Sequence, residues 1–294
     1  LEDMNPKYSI CISNYNMSST MEVSLYSIID HLDNNFEIII VDDGSNDDSL
    51  DRLFKIEKKY SFVKVIPLKR DSRRRLGETR NISVRAAQGK YVLLHLDMDD
   101  IWEPYINSFT KIYHDLEKRL DIKNFMLSGK QLQMATKKLI LNNPYPNFYY
   151  TEDRVLWKNL AVKNSLIAIS HKEIRRRIPM KSKRMKLIKA IKSQFSSMTV
   201  SFGFSPNVIK TAFEYLIRIK KIYKESLVFS IITLIFLLPS LIYGRFFRRQ
   251  SLVNQIKGNP RELCLDSLRD IENKYLSKYG KLNLSKEERE IFID

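Results

Sequence analysis

Apolar and polar residues follow a regular pattern along the first 123 residues of the chain. Short aliphatic runs, which predict strands, alternate with longer segments whose apolar residues recur every three or four positions, which predict helices. The predicted strands are 8–12, 36–41, 63–66 and 91–96, and the predicted helices are 20–33, 49–60 and 79–88. This alternation favours an α/β fold with a mostly parallel sheet and helices on both faces.

The pattern changes from about residue 125. Residues 125–135 predict a strand and a turn, and 142–150, rich in Pro, Asn and Tyr, predict a loop. A helix is expected to begin after Thr151, which is a suitable N-cap residue. Residues 165–170 predict a last short strand.

The formal charge of +16 is concentrated in one segment. Residues 154–261 contain 23 Lys and Arg against three Asp and Glu, a net charge of +20. Apolar stripes among these cations predict basic amphipathic helices over 173–225. Such a surface requires an anionic partner, either a nucleic acid or an acidic membrane.

An uncharged stretch of 19 residues follows at 226–244. As a helix it would be roughly 28 Å long, so a transmembrane or in-membrane helix is predicted, with a buried core helix as the alternative. More cations precede it than follow it, which predicts a cytoplasmic N-terminal side. Residues 245–294 are predicted to form a helical C-terminal tail.

Two further features concern the cellular compartment. Cys11 and Cys264 are the two cysteines of the chain, too few for a disulfide framework, so a reducing compartment is expected. Residues 1–7 are polar and show no signal peptide.

Carboxylates and other polar groups stand where predicted strands end. Asp97, Asp99 and Asp100 follow the strand at 91–96, while 13–15 and 42–43 follow the first two strands. Ligands bind at the carboxyl ends of parallel strands, so these groups are expected to converge. Carboxylate oxygens suit Mg²⁺ or Mn²⁺, although an acidic turn or helix N-terminus would also explain the triplet.

Five stretches of the chain form a recognisable set of motifs. They are Ile10–Asn16, Glu37–Ser45, Thr79–Asn81 with Gly89–Tyr91, Asp97–Asp100, and Glu152–Asp153 followed by Leu156–Trp157. In this order they resemble the inverting family 2 glycosyltransferases, whose GT-A fold is a Rossmann-like α/β domain with a mostly parallel sheet. The resemblance covers residues 8–161, and we place the predicted catalytic domain at 1–172.

The resemblance implies a role for each motif residue. On the nucleotide-sugar side, it implies that Tyr15 stacks on a nucleobase and that Ser13, Asp43 and Arg80 bind the nucleotide. Asp42 either contacts the nucleotide or orients its loop. A further expectation is that Asp99 binds a divalent metal, Mn²⁺ or Mg²⁺, and that Asp97 binds the metal or the ribose. His95 is expected to be a core histidine.

The family places a catalytic base in an acidic pair before Leu-Trp, which implies Asp153 as base and Glu152 as its supporting neighbour. The alternative is that both residues only favour a helix N-terminus. An acceptor that is already ionised, such as a lipid phosphate, would need no base.

The sequence thus predicts a membrane-associated, metal-dependent, inverting glycosyltransferase. The expected partners are a nucleotide-sugar donor, a lipid-linked or polyprenyl acceptor, and an anionic membrane on its cytoplasmic side. A polyprenyl-phosphate sugar synthase is the alternative within the same class. A basic nucleic-acid-binding protein is the alternative from another class.

Overall fold

The computed structural model describes residues 6–120, 124–148, 150–179, 183–205, 207–223, 227–250 and 267–293. Its strands are β1 (Tyr8–Asn14), β2 (Phe36–Asp42), β3 (Val63–Pro67), β4 (Tyr91–Leu94), β5 (Asp100–Trp102), β6 (Met126–Ser128), β7 (Gln133–Thr136), β8 (Leu166–Ala168) and β9 (Arg175–Arg177).

Seven of these strands form one sheet, in the order β3-β2-β1-β4-β7-β6-β8. Strand β7 runs antiparallel to its neighbours β4 and β6, and the other pairs are parallel. This confirms the predicted mostly parallel sheet. Strands β5 and β9 form a separate antiparallel pair.

The helices before the basic segment are α1 (Met21–Ile29), α2 (Ser49–Lys59), α3 (Leu76–Ala86), α4 (Ile106–Arg119), α5 (Lys137–Asn142) and α6 (Glu152–Val162). The later ones are α7 (Lys183–Phe204), α8 (Val208–Tyr223), α9 (Leu227–Gln250), α10 (Leu268–Lys274), α11 (Leu276–Tyr279) and α12 (Lys286–Phe292).

Alternate residues of the central strands pack into different cores. Ile10 and Ile38 contribute to a core with α1, α2 and α4. Their neighbours Cys11 and Ile39 contribute to a second core with α3, α5 and α6. Because strand side chains alternate between the faces of a sheet, the two cores lie on opposite faces. The prediction of helices on both faces is therefore correct.

The C-terminal helices return to the α/β domain. The Phe292 ring lies 6.4 Å from Phe109 and 5.3 Å from His171, measured between ring centroids. Arg119 of α4 donates hydrogen bonds to the carbonyl oxygens of Gly280 and Lys281, at 2.8 and 3.0 Å. The described part of the predicted tail, 267–293, is thus helical and packed on the core formed by α1, α2 and α4.

Helices α7, α8 and α9 pack on one another, and α9 turns its small and polar residues inward. Ser230, Thr233 and Ser240 are buried. A Cβ atom at Gly244 would lie 2.8 Å from the Gly203 nitrogen and from Phe202 Cβ, so α9 approaches α7 closely.

The outward faces of α8 and α9 are apolar. The exposed apolar side chains are Ile209, Phe213, Leu216 and Ile217 on α8, and Leu227, Ile231, Leu234, Ile235, Leu238 and Ile242 on α9. Their spacing of three and four residues places them in one stripe on each helix. We call these two stripes the apolar surface.

The predicted membrane segment at 226–244 is not supported. In the part of the chain that the structure describes, no helix is long and apolar enough to cross a membrane. Residues 227–244 are helical, with Pro239 inside α9. The helix is covered by α7 and α8 along the face that carries its small and polar residues and Phe236, Leu237 and Leu241, so its other face is the exposed one.

Candidate active site

The carboxyl ends of β1, β2 and β4 open into one cavity of about 1200 Å³, which is also lined by residues of α6 and α7. Most of the residues predicted from the motifs line it. They are Ser13, Tyr15, Asp43, Arg80, Asp97, Asp99, Glu152 and Asp153. Asp42 is absent from the lining.

Tyr15 lines the cavity and is 41% exposed. The Arg70 guanidinium carbon lies 4.3 Å from the centre of its ring, in a cation–π contact. Asp43 is held by Arg70 and by Arg74, whose Nε donates to Asp43 Oδ1 at 2.6 Å. Ser13 Oγ is buried and has no hydrogen-bond partner among the described residues. An aromatic face beside a fixed carboxylate is well suited to a nucleoside.

Asp42 is fully buried and organises the loop after β2. Its carboxylate accepts hydrogen bonds from Asn14 Nδ2 at 2.7 Å, from the Ser45 nitrogen at 2.9 Å and from Ser45 Oγ at 2.6 Å. Of the two roles considered for Asp42, these contacts correspond to loop orientation. Direct contact with a nucleotide stays a prediction.

Asp97, Asp99 and Asp100 form an acidic cluster after β4. Each offers one carboxylate oxygen within 4.8 Å of the others. Asp100 is fully buried, and its Oδ1 accepts no hydrogen bond from the described residues. Burial raises the pKa of Asp100, although Arg175 and Arg177 act against the increase. Three carboxylates with hard oxygen ligands this close together fit a divalent cation such as Mg²⁺ or Mn²⁺.

Two arginines of β9 contact this cluster. Arg175 forms an ion pair with Asp100, and Arg177 forms one with Asp99. Arg177 Nε lies 3.1 Å from Asp100 Oδ1, and Nη2 lies 4.0 Å from Asp97 Oδ2. The sequence motifs did not identify either arginine, because a run of three arginines is more typical of a solvated surface. The isoleucines on both sides, at 174 and 178, were the available signal for a short strand.

The prediction of a core role for His95 is correct only in part, because its ring lies near Tyr145 and Trp157 of the second core but also lines the cavity. Strand β4 ends at Leu94, and His95 has a positive φ of 70°, which departs from the strand conformation. Burial, and then the charge of Arg80, keep the pKa of His95 well below its usual value. The ring is therefore neutral at pH 7 and accepts a hydrogen bond from Arg80, whose Nη1 lies 2.8 Å from Nδ1.

Arg80 also lies between two carboxylates. Its Nε is 3.6 Å from Glu152 Oε1, and its Nη2 is 3.6 Å from Asp97 Oδ1. Burial acts to lower the pKa of Arg80, but Glu152 and Asp97 outweigh it and raise the pKa above its usual value. Arg80 thus remains charged and connects the acidic cluster to the start of α6.

Glu152 and Asp153 begin α6 but differ in their surroundings. Glu152 is 3% exposed, and burial raises its pKa to about 7 although Arg80 opposes the increase. Asp153 is partly exposed and accepts a hydrogen bond from the Arg154 nitrogen at 2.7 Å. Thr151 occupies the N-cap position but makes no side-chain cap bond. Its hydroxyl lies 2.6 Å from Ser196 Oγ of α7 instead.

The sequence model described as Glycosyl transferase family 2 matches residues 9–163, more than half of the chain. The chain belongs to glycosyltransferase family 2. Cholesterol galactosyltransferase of Borreliella burgdorferi is 30% identical over 166 residues, which are 54% of this chain and 43% of that protein. UDP-Glc:alpha-D-GlcNAc-diphosphoundecaprenol beta-1,3-glucosyltransferase WfaP of Escherichia coli is 26% identical over 53% of this chain and 70% of its own length. The chain spans about half the length of several curated relatives that it matches.

Solved structures show that this glycosyltransferase has the GT-A fold. Mannosyltransferase PcManGT from Pyrobaculum calidifontis, in complex with GDP-Man and Mn²⁺, matches with a TM-score of 0.56 and 13% identity over 94% of this chain and 82% of that one. Residues 1–349 of S. aureus TarS with UDP-GlcNAc match with a TM-score of 0.52 and 16% identity over 70% and 69% of the chains. The chain carries a DxD-like acidic cluster, which follows strand β4.

Proposed function

We propose that the chain transfers a sugar, with inversion, from a nucleotide-sugar donor to a lipid-linked acceptor at a membrane surface, and that transfer depends on Mn²⁺ or Mg²⁺. One observation supports this above others. Asp97 and Asp99 of the acidic cluster line the same cavity as the Glu152–Asp153 pair, and Arg80 lies between Asp97 and Glu152. In an inverting transfer the leaving nucleoside diphosphate and the acceptor hydroxyl lie on opposite sides of the same sugar carbon. One cavity that holds both a metal site and a base can bring these groups to that carbon.

In the proposed donor site, the nucleoside lies between Tyr15 and Asp43, and Ser13 Oγ gains the partner that it lacks. Asp97 and Asp99 would hold the divalent ion, and Asp100 is close enough to join them. When bound, such an ion neutralises the charge of a leaving nucleoside diphosphate. Arg80, fixed by His95, orients the carboxylates that surround it.

Asp153 is the proposed base. Glu152 is paired with Arg80, is almost completely buried and has a pKa near 7, so only part of it is ionised at neutral pH. Asp153 also lines the cavity, and it is more exposed than Glu152. It would accept the proton of an acceptor hydroxyl as the new glycosidic bond forms. Glu152 would support it by holding Arg80.

The acceptor and the membrane are linked by α7. Ile188, Lys192 and Phe195 of this helix line the cavity, while its other contacts support α9. The apolar surface on α8 and α9 exposes ten large apolar side chains, more than a soluble surface normally shows together. We propose that it rests on the lipid, so that a lipid-linked acceptor can reach the cavity along α7. The names of the galactosyltransferase and of WfaP, each with a lipid acceptor, agree with this proposal.

We also place the α/β domain on the cytoplasmic side. Cys11 is a buried free thiol, as expected in a reducing compartment. Lys130, Arg154 and Lys192 are among the cations that line the same cavity as the donor site, and they would favour an anionic leaflet.

The test starts from a screen of nucleotide sugars by thermal shift with Mn²⁺, followed by transfer assays in vesicles. We expect one donor to stabilise the chain and to be transferred to a sugar linked to diphosphoundecaprenol. Transfer to undecaprenyl phosphate alone would favour the polyprenyl-phosphate sugar synthase instead. If no nucleotide sugar stabilises the chain with Mn²⁺, the proposed function is wrong.

A further inference from the structure

The short strand β9 brings a guanidinium to the place that the proposed divalent ion requires. Strand β9 pairs with β5 so that Arg177 lies opposite Asp100. The backbone nitrogen of Ile178 donates a hydrogen bond to the carbonyl oxygen of Asp99 at 2.8 Å. The backbone nitrogen of Glu103 donates one to the carbonyl oxygen of Ile174 at 2.9 Å. The backbone on both sides of Arg177 is therefore fixed beside the acidic cluster.

Arg177 contacts all three carboxylates of the cluster. It pairs with Asp99 Oδ1, approaches Asp100 Oδ1 with Nε, and reaches Asp97 with Nη2. A divalent ion would bind oxygens of the same three residues. A guanidinium and a metal ion cannot both occupy that space, and each would repel the other.

Arg175 and Arg177 differ in their freedom to move. The Arg175 side chain is 16% exposed and is paired with the fully buried Asp100, as a fixed structural contact would be. Both arginines line the cavity, but the Arg177 side chain is 46% exposed and has no fully buried carboxylate as its main partner. Arg177 can therefore rotate toward solvent without disturbing the strand pairing that positions it.

We propose that Arg177 is a displaceable counter-ion, which neutralises the acidic cluster while no metal is bound and leaves it when a divalent ion enters. This inference rests on the proposed metal-dependent donor site. The released guanidinium remains at the edge of the cavity, where a nucleoside diphosphate offers it new acceptors. Arg binds phosphate oxygens with two parallel hydrogen bonds, so this second position is favourable.

This exchange makes metal binding and nucleotide binding cooperative. A metal ion alone must displace Arg177 from its carboxylates, which weakens metal binding. A nucleoside diphosphate that binds with the metal provides the displaced guanidinium with a partner and offsets that loss. Because coupling between two ligands is reciprocal, each should strengthen the binding of the other, typically about 5- to 150-fold.

Arg177→Gln tests the exchange, and Arg176→Gln is its matched control. Arg176 lies on the same strand, and its substitution removes the same charge. The Arg176 side chain is exposed and does not line the cavity. We measure free Mn²⁺ by electron paramagnetic resonance in titrations of the full chain, without nucleotide and with UDP or GDP. Arg177→Gln should bind Mn²⁺ alone about tenfold more tightly than wild type and should show weaker coupling to nucleotide, while the coupling that comes from direct contact between the metal and the diphosphate remains. Arg176→Gln should change either quantity by less than roughly twofold, because its charge is solvated.

Equal effects of the two substitutions, or weaker Mn²⁺ binding by Arg177→Gln, would overturn the proposal. If neither wild type nor the variants bind Mn²⁺, the metal site of the proposed function fails, and this inference fails with it. Labelling of the unmutated chain with phenylglyoxal gives a second measurement that needs no variant. Mg²⁺ should accelerate the modification of Arg177 relative to Arg176, as determined by mass spectrometry, and an unchanged ratio would contradict the exchange.

Discussion

Arg80 and Glu152 form an ion pair in the wall of the cavity, with Arg80 Nε 3.6 Å from Glu152 Oε1. The pair joins α3 to the first turn of α6. Since Arg80 also lies 3.6 Å from Asp97 Oδ1, it connects the donor side of the cavity to the proposed base. Its charge neutralises two carboxylates that would otherwise repel each other.

Arg80→Gln should therefore destabilise the fold as well as impair transfer. The substitution leaves Glu152 buried without a cation, and breaking a buried pair typically costs about 3–5 kcal/mol. We expect a loss near the lower value, since Glu152 can partly escape by binding a proton. Urea unfolding measures this loss. Arg85→Gln is the control, because Arg85 pairs with Glu78 on the exposed side of the same helix and should cost less than about 1 kcal/mol. Equal losses would contradict the buried pair.

The raised pKa of Glu152 predicts that stability falls as pH rises. The usual pKa of 4.5 is raised to about 7 in the folded chain, so between these pH values the folded state binds more protons than the unfolded state. The contribution of Glu152 to the free energy of unfolding should then decrease between pH 4.5 and 7, by up to about 3 kcal/mol.

Glu152→Gln should remove this dependence. The lowered pKa of His95 changes the stability of the fold in the opposite direction. Below pH 6.5 the unfolded chain binds a proton at His95 more readily than the folded chain, so the free energy of unfolding falls as pH falls. The difference between wild type and Glu152→Gln isolates the carboxyl group, since His95 is present in both. Urea unfolding at pH 5 and pH 8 measures it. A difference that is the same at both pH values would show that Glu152 is ionised normally.

Much of the site could be predicted from sequence because parallel strands align their carboxyl ends. Asp43 directly follows β2, and Asp97 and Asp99 lie within five residues of the end of β4, so their meeting in one cavity follows from the strand pattern. Glu152 and Asp153 are far away in sequence and were assigned through the family resemblance. The structure places them in the same cavity.

The remaining contacts depend on tertiary structure that local patterns do not contain. Arg177 reaches Asp99 through the pairing of β5 with β9, over 78 positions of chain. His95 lines the cavity because its φ angle is positive, whereas continued strand geometry would direct its side chain elsewhere. The uncharged run at 226–244 predicted a membrane segment, but α7 covers one face of α9 in a way that composition could not reveal.

Asp153→Asn should separate turnover from donor binding. The amide keeps the size of the side chain but cannot accept a proton, and loss of a general base typically costs about 10²- to 10⁴-fold in rate. Donor affinity should be unchanged, because Asp153 has no contact with the acidic cluster in the described structure. Initial rates of transfer and calorimetric titration with donor measure the two quantities. Weakened donor binding with normal turnover would show that Asp153 belongs to the donor site.

Asp99→Asn should abolish the metal dependence of donor binding. The substitution removes one charged ligand from the acidic cluster, and both Mn²⁺ affinity and transfer should fall steeply. Asp51→Asn is a suitable control, since Asp51 is an exposed carboxylate on α2. Calorimetric titration with donor, in the presence of Mn²⁺ and after chelation, measures the effect. If Asp99→Asn still shows metal-dependent binding of wild-type strength, the cluster is not the metal site.

Charged substitutions on the apolar surface should detach the chain from lipid vesicles. Ile235 and Leu238 of α9 are 62% and 67% exposed, so Ile235→Glu with Leu238→Glu should leave the fold intact. Burial of one such side chain in an apolar environment contributes roughly 1.5–3 kcal/mol, and losing two should weaken binding by tenfold or more. Flotation with anionic vesicles measures this. Val23→Glu, on the 53% exposed Val23 of α1, introduces a charge outside the apolar surface and should float as wild type does. Equal flotation of the double variant and wild type would show that another surface holds the membrane, because two buried carboxylates could not be tolerated at the lipid contact.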